Sequence, residues 1–361
     1  MIRAISALLT ACMAAGCGSA YYGLPAAGPS RAIRVETITR PDREMQELMA
    51  VMGRLAPPAG AVDATAVSPL RQHSFQTIGG DTDPCVDPSG RYMVYASTAH
   101  SPWPDIYIKQ IDGKAVTQLT NDPASDIQPA ISPDGRCVAF ASNRTGAYEI
   151  YVMTLDGKAI RQVTSGGGDN VHPSWSPDGT RLIYACQSVR SGQWEMWITS
   201  PTRPGSRQFV GNGLFPVWSP TADRIAFQRP RARDGQLYGI WMIELANDEP
   251  SLPTLVADAP DRAFLSPSFS ADGRRLAFAS VAPQGVGQVD IYTVDLDGRN
   301  LQQLTRGPGR KYGPTWVGES IYFSCDRDGQ ENIWSVRTEG HAPSALTGGD
   351  AGDDYRTVGV R

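Results

Sequence analysis

The chain has 361 residues and a formal net charge of −4, with 19% charged residues and no long run of one sign, which argues against a nucleic-acid-binding surface. A folded body of this length buries roughly three quarters of its unfolded surface and needs no disulfide or metal for stability. The 37 glycines and 28 prolines favour many turns and few helices.

The first residues predict an export signal. Arg3 supplies a positive charge, residues 4–15 form an apolar run too short to span a bilayer, and small residues lead to Cys17. The tetrapeptide that ends at Cys17 resembles a bacterial lipobox, whose cysteine is acylated. We expect residues 1–16 to be a lipoprotein signal peptide and Cys17 to anchor the protein on the periplasmic side of the cell envelope, with the outer membrane favoured over the inner. A secretory signal cut after Ala20 is the alternative.

Residues 17–70 are predicted to form a tether with little structure of its own. Gly, Ala, Pro and Ser dominate up to Ser30, and a second Pro- and Ala-rich stretch covers residues 56–68. Between them, Ile33–Thr39 alternates as a strand does, and the apolar residues of Asp42–Leu55 recur at helical spacing. We therefore expect a short strand and a helix before the main domain.

From residue 71 to residue 361 one pattern recurs six times. A proline in a short apolar segment is followed by a tight turn, a strand centred on an aromatic residue, a strand headed by a polar residue before Ile and an aromatic residue, and a polar outer strand. The marking prolines are spaced by 45, 44, 43, 51 and 47 residues: Pro84, Pro129, Pro173, Pro216, Pro267 and Pro314. A period of about 40 to 50 residues with short strands predicts a β-propeller with one four-stranded blade per repeat.

Side chains inside the repeats are expected to hold the blades together. The second strands carry an aromatic residue at one register position, where a ring can wedge between adjacent blades: Tyr95, Phe140, Tyr184, Phe227, Phe278 and Phe323. Arg144 and Arg327 follow these strands, and we expect them to contact Glu149 and Asn332, the polar residues that head the third strands.

The predicted fold is all-β, a six-bladed propeller of four-stranded blades in which the chain termini add flanking strands. Residues 73–78 are predicted to be the outer strand of a blade, and Asp354–Val360 to be one more inner strand. The alternative is a propeller of seven blades, in which both ends build a composite closing blade.

One repeat carries a family resemblance. Ser132-Pro133-Asp134-Gly135, Glu149-Ile150-Tyr151-Val152 and Arg161-Gln162-Val163-Thr164 resemble the TolB-type propeller repeat, and the resemblance covers about residues 73–349. TolB is a soluble periplasmic component of the Tol-Pal envelope system, and its propeller binds the peptidoglycan-associated lipoprotein. The resemblance implies a non-catalytic scaffold that binds an envelope protein or a peptidoglycan-associated partner. TolB also has a sizeable N-terminal α/β domain, whereas about 55 residues separate the cysteine at position 17 from the propeller here.

Similar repeats occur in the propellers of prolyl-oligopeptidase-type peptidases and of oligogalacturonate lyases. A peptidase requires a nucleophile on a strand-turn-helix elbow, and the sequence contains no Gly-x-Ser-x-Gly. A propeller lyase or metal enzyme would gather its ligands at the mouth of the central channel, where the residues before the marking prolines are expected to lie. These candidates for a binding site are Asp83, Gln128, His172, Phe215 and Ser266, with Gly313 in the sixth repeat.

One histidine, one carboxylate and one amide are few for a transition-metal site. We therefore expect no catalytic site, no metal and no cofactor. A carbohydrate-active or metal-dependent enzyme with its site around Asp83, Gln128 and His172 is the alternative, and a sensor of a small ligand is a third possibility.

The remaining hypothesis is recognition of a partner by the rim loops, because binding residues are concentrated on the loops of rigid scaffolds. Trp103 lies in an unusual Ser-Pro-Trp-Pro loop, and Arg229, Arg231 and Arg233 lie in a longer loop of the fourth repeat. Trp and Arg are enriched at protein interfaces. We expect a monomer that binds an envelope partner through the propeller face.

Overall fold

The computed structural model describes residues 69–231, 237–281 and 288–338, and within these ranges it contains strands, turns and loops but no helix. Each blade is an antiparallel meander that runs from an inner strand at the channel to an outer strand at the edge. The first three blades and the strand that precedes them are, in chain order, β1 (Arg71–Gln72), β2 (Asp81–Val86), β3 (Tyr92–Ser97), β4 (Asp105–Gln110), β5 (Val116–Gln118), β6 (Asp126–Ile131), β7 (Cys137–Ser142), β8 (Glu149–Thr154), β9 (Ile160–Gln162), β10 (Asn170–Trp175), β11 (Leu182–Gln187), β12 (Trp194–Ser200) and β13 (Arg203–Asn212).

Blades four to six follow the same order. In blade four two short strands, the fourth and fifth of that blade, share the outer position, because both pair with its third strand. The strands are β14 (Leu214–Trp218), β15 (Arg224–Pro230), β16 (Tyr238–Ala246), β17 (Glu249–Pro250), β18 (Thr254–Ala257), β19 (Ala263–Phe269), β20 (Arg275–Val281), β21 (Val289–Asp295), β22 (Gln302–Gln303), β23 (Lys311–Val317), β24 (Ser320–Cys325) and β25 (Asn332–Arg337).

The ring closes through the start of the described chain. β1 pairs with β25 and so supplies the outer strand of blade six, in the sheet order β1-β25-β24-β23. The six inner strands contact one another in sequence, and β23 contacts β2. The six-bladed prediction is confirmed. The seven-bladed alternative is wrong, because the strand that would have begun a separate blade completes the sixth.

Several predicted boundaries change or lie outside the described residues. The closing strand is Arg71–Gln72 rather than residues 73–78, although the backbone N–H of His73 continues the pairing by donating to the carbonyl of Ile333 at 2.8 Å. The expected signal peptide, the strand and helix of the tether, and the inner strand at Asp354–Val360 all lie outside the described residues.

The aromatic residue of each second strand packs against the preceding blade. All six rings are at most 1% exposed. Phe140 of blade two, for example, lies in one cluster with Val94 and Ile106 of blade one, and Tyr95 of blade one lies with Ile333 of blade six. The burial of a large ring at every blade junction, including the closing one, is a main source of stability in such a ring.

A polar contact joins the third strand of a blade to its outer segment. In blade two the Thr164 hydroxyl accepts a hydrogen bond from the backbone N–H of Ile150 (2.8 Å) and donates to the carboxylate of Glu149 (2.6 Å). Thr120 in blade one and Thr305 in blade five make the same pair of contacts. These carboxylates are therefore held within their own blade.

The expected partner of Glu149 was wrong. Arg144 forms ion pairs with Asp122 (2.8 Å) and Asp126 (2.9 Å) instead, and its guanidinium lies 4.7 Å from the ring centroid of Tyr151. The arginine thus ties the loop between blades one and two to the second strand of blade two.

The closing segment reproduces the threonine contact across the two ends of the ring. Ser74 accepts a hydrogen bond from the backbone N–H of Ile333 (2.9 Å) and donates to the side-chain oxygen of Asn332 (3.1 Å). Lys109 of blade one donates to the carbonyl of His73, which fixes the closing segment from its other side.

Removing the Ser74 hydroxyl should weaken the closure. In Ser74→Ala the buried N–H of Ile333 loses its acceptor, which typically costs about 1–3 kcal/mol. Urea unfolding should give a free energy of unfolding lower by about that amount, whereas the exposed Ser191→Ala should leave it within about 0.5 kcal/mol of the parent. Equal stability of the two variants would contradict this role of Ser74.

Candidate functional site

The six residues before the marking prolines share an unusual backbone conformation. All have positive φ, between 51° and 60°: Asp83, Gln128, His172, Phe215, Ser266 and Gly313. Residues other than glycine rarely adopt this left-handed conformation. In each inner strand the pairing with the second strand shifts register at this position. Because the following proline has no N–H to donate to the ladder, a bulge forms there.

The bulges bring the side chains of neighbouring blades together around the channel. The backbone N–H of Gln128 donates to the carboxylate of Asp83, and the backbone N–H of His172 donates to Oε1 of Gln128 at 2.9 Å. The ring centroids of His172 and Phe215 lie 3.6 Å apart. Four of the five predicted binding residues therefore form one chain of contacts, from blade one to blade four.

Ser266 is held separately. Its backbone N–H donates to Oε1 of Gln228 at 2.8 Å, in the same way that the N–H of Asp83 donates to the hydroxyl of Ser324 at 3.2 Å. Ser266 thus shares the backbone geometry of the other four residues, but its contacts are with blade four.

The contacts of Gln128 determine the protonation of His172. Since Oε1 of Gln128 accepts from the His172 backbone, its amide nitrogen faces Nε2 of the imidazole at 2.8 Å and must donate to it. The neutral imidazole then carries its proton on Nδ1. Burial lowers the pKa of His172 to about 3, so the ring is uncharged at neutral pH. His172 is therefore a neutral, hydrogen-bonded channel residue.

Two carboxyl groups lie on the opposite side of the mouth. Burial and, to a smaller extent, the negative charge of Glu331 raise the pKa of Asp83 to about 6, against the lowering effect of the hydrogen bond from Gln128. Burial also raises the pKa of Glu331, which accepts a hydrogen bond from the hydroxyl of Tyr312. We call Asp83 and Glu331 the acidic edge of the mouth.

Glu331 belongs to a second ring of residues, those directly before the third-strand heads. The carbonyls of these residues accept a hydrogen bond from a backbone N–H at the start of the next inner strand or directly before it: Tyr148 from Asn170 (2.7 Å), Trp194 from Gly213 (3.1 Å) and Glu331 from Asp81 (2.9 Å). This shared contact places each of them beside the start of the next inner strand.

Aromatic side chains occupy this ring on the side away from the acidic edge. Tyr148 and Trp194 are half-buried and pack with Phe215 against one core cluster. Tyr238 has the same register position in blade four, and burial raises the pKa of its phenol. We call Tyr148, Trp194, Tyr238 and Phe215 the aromatic wall. The mouth is therefore aromatic along blades two to four and acidic at blades one and six.

The predicted rim residue Trp103 is one of three exposed large apolar side chains on two neighbouring loops of the same face. Trp103 is 53% exposed, and Phe75 and Ile78, on the loop that precedes β2, are 72% and 78% exposed. Reciprocal hydrogen bonds between Gly80 and Thr98 (2.9 and 3.0 Å) hold the two loops side by side. We call Trp103, Phe75 and Ile78 the apolar patch.

The predicted rim arginines are engaged within the protein. The guanidinium of Arg229 lies 4.1 Å from the centroid of the Trp241 ring, and burial lowers its pKa. Arg231 forms an ion pair with Asp258 (2.7 Å) and donates to the carbonyl of Ala259 (2.9 Å). Both side chains are therefore engaged within blade four, and Arg233 lies outside the described residues.

Comparison with known proteins agrees with this architecture. A family model described as the TolB beta propeller domain matches residues 67–240 and 210–358. The chain belongs to the TolB β-propeller family. A TolB structure from Agrobacterium tumefaciens superposes with a TM-score of 0.57 at 18% identity, over 74% of this chain and 96% of that one. TolB from Acinetobacter baumannii superposes with a TM-score of 0.56 at 20% identity, over 66% of this chain and 57% of that one.

Other matches either cover a short stretch of sequence or share only the fold with this chain. The uncharacterized protein Atu1656 of Agrobacterium fabrum is 36% identical over 87 residues, which span 24% of this chain and 29% of that protein. An oligogalacturonate lyase from Vibrio parahaemolyticus superposes with a TM-score of 0.52 at 12% identity, over 77% of this chain and 95% of the lyase. Membership of the TolB propeller family therefore fixes the fold but not the chemistry of the mouth.

Two features are absent from the described residues. Across residues 69–231, 237–281 and 288–338, no three His, Cys, Asp or Glu side chains are grouped so that they could hold a metal ion. In the same ranges no helix has the length and apolar character needed to cross a membrane.

The sequence predictions missed the second ring of the TolB-family mouth. Tyr148, Trp194, Tyr238 and Glu331 each directly precede the head of a third strand, so their common register could have been read from the repeat. They were missed because their residue types differ, although they occupy the same position in each blade.

Proposed function

We propose that this TolB-family propeller is a non-catalytic scaffold, anchored in the cell envelope, that binds a protein or peptidoglycan-associated partner through the face that carries the channel mouth. The apolar patch is the observation that carries the proposal. Three large apolar side chains, each more than half exposed, lie on two adjoining loops. Exposed apolar clusters on soluble domains commonly mark interaction sites.

The difference between the two faces of the propeller supports this choice. In blades two, three and five the hairpin that joins the inner and second strands uses the same turn, in which a serine hydroxyl donates to an aspartate at 2.6 Å: Ser132 to Asp134, Ser176 to Asp178, and Ser270 to Asp272. The loops of the mouth face differ in length and sequence from blade to blade. Specific recognition needs such individual loops on a rigid scaffold.

Loss of the Trp103 ring should weaken capture of the partner. Truncation of a central aromatic residue at an interface typically costs about 2 kcal/mol, or roughly 30-fold in affinity. Crosslinking followed by affinity capture from envelope extracts should recover a specific partner with the parent chain and much less with Trp103→Ala.

Leu252→Ala is the matched control, because Leu252 is 89% exposed at the outer edge of blade four. Equal recovery with Trp103→Ala and Leu252→Ala would contradict binding through the mouth face.

We infer that Cys17 carries the envelope anchor. The short apolar run and small residues that precede it support a lipoprotein signal, and acyl chains contribute about 0.8 kcal/mol per buried CH₂ to membrane binding. Residues 17–70 would then tether the propeller to the membrane, with the outer membrane favoured. Metabolic labelling with radioactive palmitate should mark the parent chain and not Cys17→Ala. Equal labelling of the two would exclude this anchor.

A further inference from the structure

Two segments of the chain have sequences that fit the outer position of blade six. In the structure this position is taken by β1, which pairs with β25. β25 is also followed in sequence by residues 339–350, which lie outside the described residues. The match to the family model over residues 210–358 includes this second segment.

Residues 339–347 have the spacing of an ordinary outer segment. In blades one, two and five the threonine that contacts the third strand comes 15 residues after the head of that strand. Thr347 likewise comes 15 residues after Asn332, the head of β25. Glu339-Gly340 takes the place that the hairpin Asp156-Gly157 has in blade two. The chain after β25 therefore carries the turn and the threonine with which three other blades form their outer segments.

The residues around Thr347 fit the repeat better than those of the closing segment do. The residue before the threonine is aliphatic in the same three blades: Leu119, Val163 and Leu304. Leu346 has this position in the second segment, whereas the closing segment has His73, which is 3% exposed, followed by Ser74. Pro343 falls where Ile160 begins β9, and the first residue of a strand tolerates proline.

Long-range contacts favour β1 in the structure. The backbone N–H of His73 donates to the carbonyl of Ile333 at 2.8 Å, and that of Gln76 donates to Oδ1 of Asn332 at 2.7 Å. An outer segment formed by residues 343–347 would need the same carbonyl and the same side chain. The two segments can therefore occupy the outer position only in turn.

The buried histidine makes the β1 arrangement dependent on pH. Burial is the main cause that lowers the pKa of His73 to about 4. The other groups that face it are two cations, a carboxylate, a backbone carbonyl and two hydroxyl groups: Arg71, Lys109, Asp112, Ile111, Tyr322 and Ser335. Because the released imidazole takes up a proton more readily, docking of β1 is favoured above pH 6.5 and weakens as the pH falls from 6.5 towards 4.

We propose that blade six has two alternative outer strands, β1 and residues 343–347, and that exchange between them releases residues 71–78 from the edge of the propeller. The third strand keeps a partner in both arrangements, so the ring stays closed. Phe75 and Ile78 of the apolar patch lie on the released segment. Exchange therefore separates them from Trp103 and regulates partner binding, a consequence that rests on the proposed function.

Hydrogen–deuterium exchange of the full chain without a partner tests the two arrangements. His73→Pro removes the N–H that donates to Ile333 and so weakens β1. At pH 7.5 residues 344–347 should exchange at least about tenfold more slowly in this variant than in the parent, and residues 71–76 at least about tenfold faster. Unchanged exchange of residues 344–347 would overturn the proposal.

A second substitution locates the segment in its register. Thr347→Ala, added to His73→Pro, removes the hydroxyl that would accept from the N–H of Ile333, so the slower exchange of residues 344–347 should be lost. Ser344→Ala in the same background is the matched control, because Ser344 corresponds to Arg161 of β9 and has no part in the threonine contact. Equal protection in the two double variants would contradict the assigned register.

The parent chain provides a test that needs no disruptive variant. Between pH 7.5 and pH 5.5 the protection of residues 71–76, corrected for intrinsic exchange rates, should fall about tenfold as the released imidazole takes up a proton. His73→Leu, which has the aliphatic residue of the other blades, should keep its protection constant. Constant protection in the parent, or an equal fall in both chains, would overturn the proposal.

The outcomes separate this inference from the proposed function. If the strands exchange, His73→Pro should capture the partner no better than Trp103→Ala. If no exchange is measured while capture by the parent still depends on Trp103, this inference fails and the proposed function stands. If capture is independent of Trp103, the proposed function fails, and hydrogen–deuterium exchange without a partner still decides between the two strands.

Discussion

A proline at one fixed position of every inner strand is the constraint on which the mouth depends. Proline cannot donate to the strand ladder, and the residue before it adopts a left-handed conformation in all six blades. For a residue other than glycine this conformation costs about 1–2 kcal/mol. Contacts with the same or a neighbouring blade stabilise it, such as the 2.9 Å hydrogen bond from the His172 backbone to Gln128. The strained residues are therefore the ones whose contacts reach across the wall of the channel.

Closure of the ring gives this arrangement its rigidity. Blade six receives its outer strand from the start of the described chain, and Ser74 takes the place that a threonine of the outer segment has in blades one, two and five. The inner strands β23 and β2 contact each other, so the channel wall is continuous at the closing blade. A continuous wall lets the aromatic wall and the acidic edge keep fixed positions relative to each other.

The sequence predicted the blades because the repeat is encoded locally. In each repeat the marking proline, the turn and the second-strand ring lie within about ten positions of one another. The repeat register therefore placed all five candidate residues, of which Asp83 is the first and Ser266 the last, correctly in the inner strands. An outer strand that closes the ring was predicted, but it begins two residues earlier than predicted. Its position could not be read from the repeat, because its pairing with β25 joins residues more than 260 positions apart.

Contacts between loops could not be predicted from the repeat. Arg231 pairs with Asp258 across the loops of blade four, and Arg144 pairs with Asp126 rather than with Glu149, because the loop that enters blade two lies beside it. Such partners depend on how loops of unequal length fold against each other. The apolar patch is a similar case, since the loops that carry Phe75 and Trp103 are joined by hydrogen bonds between Gly80 and Thr98.

Hydrogen–deuterium exchange of the full chain, with and without its captured partner, tests the central claim that the mouth face is the binding surface. The account predicts slower exchange in residues 73–80, 98–104 and 142–149 on that face, with no change in the hairpins at 132–136 and 155–159 on the other. Protection confined to those hairpins, with the mouth loops unchanged, would contradict it.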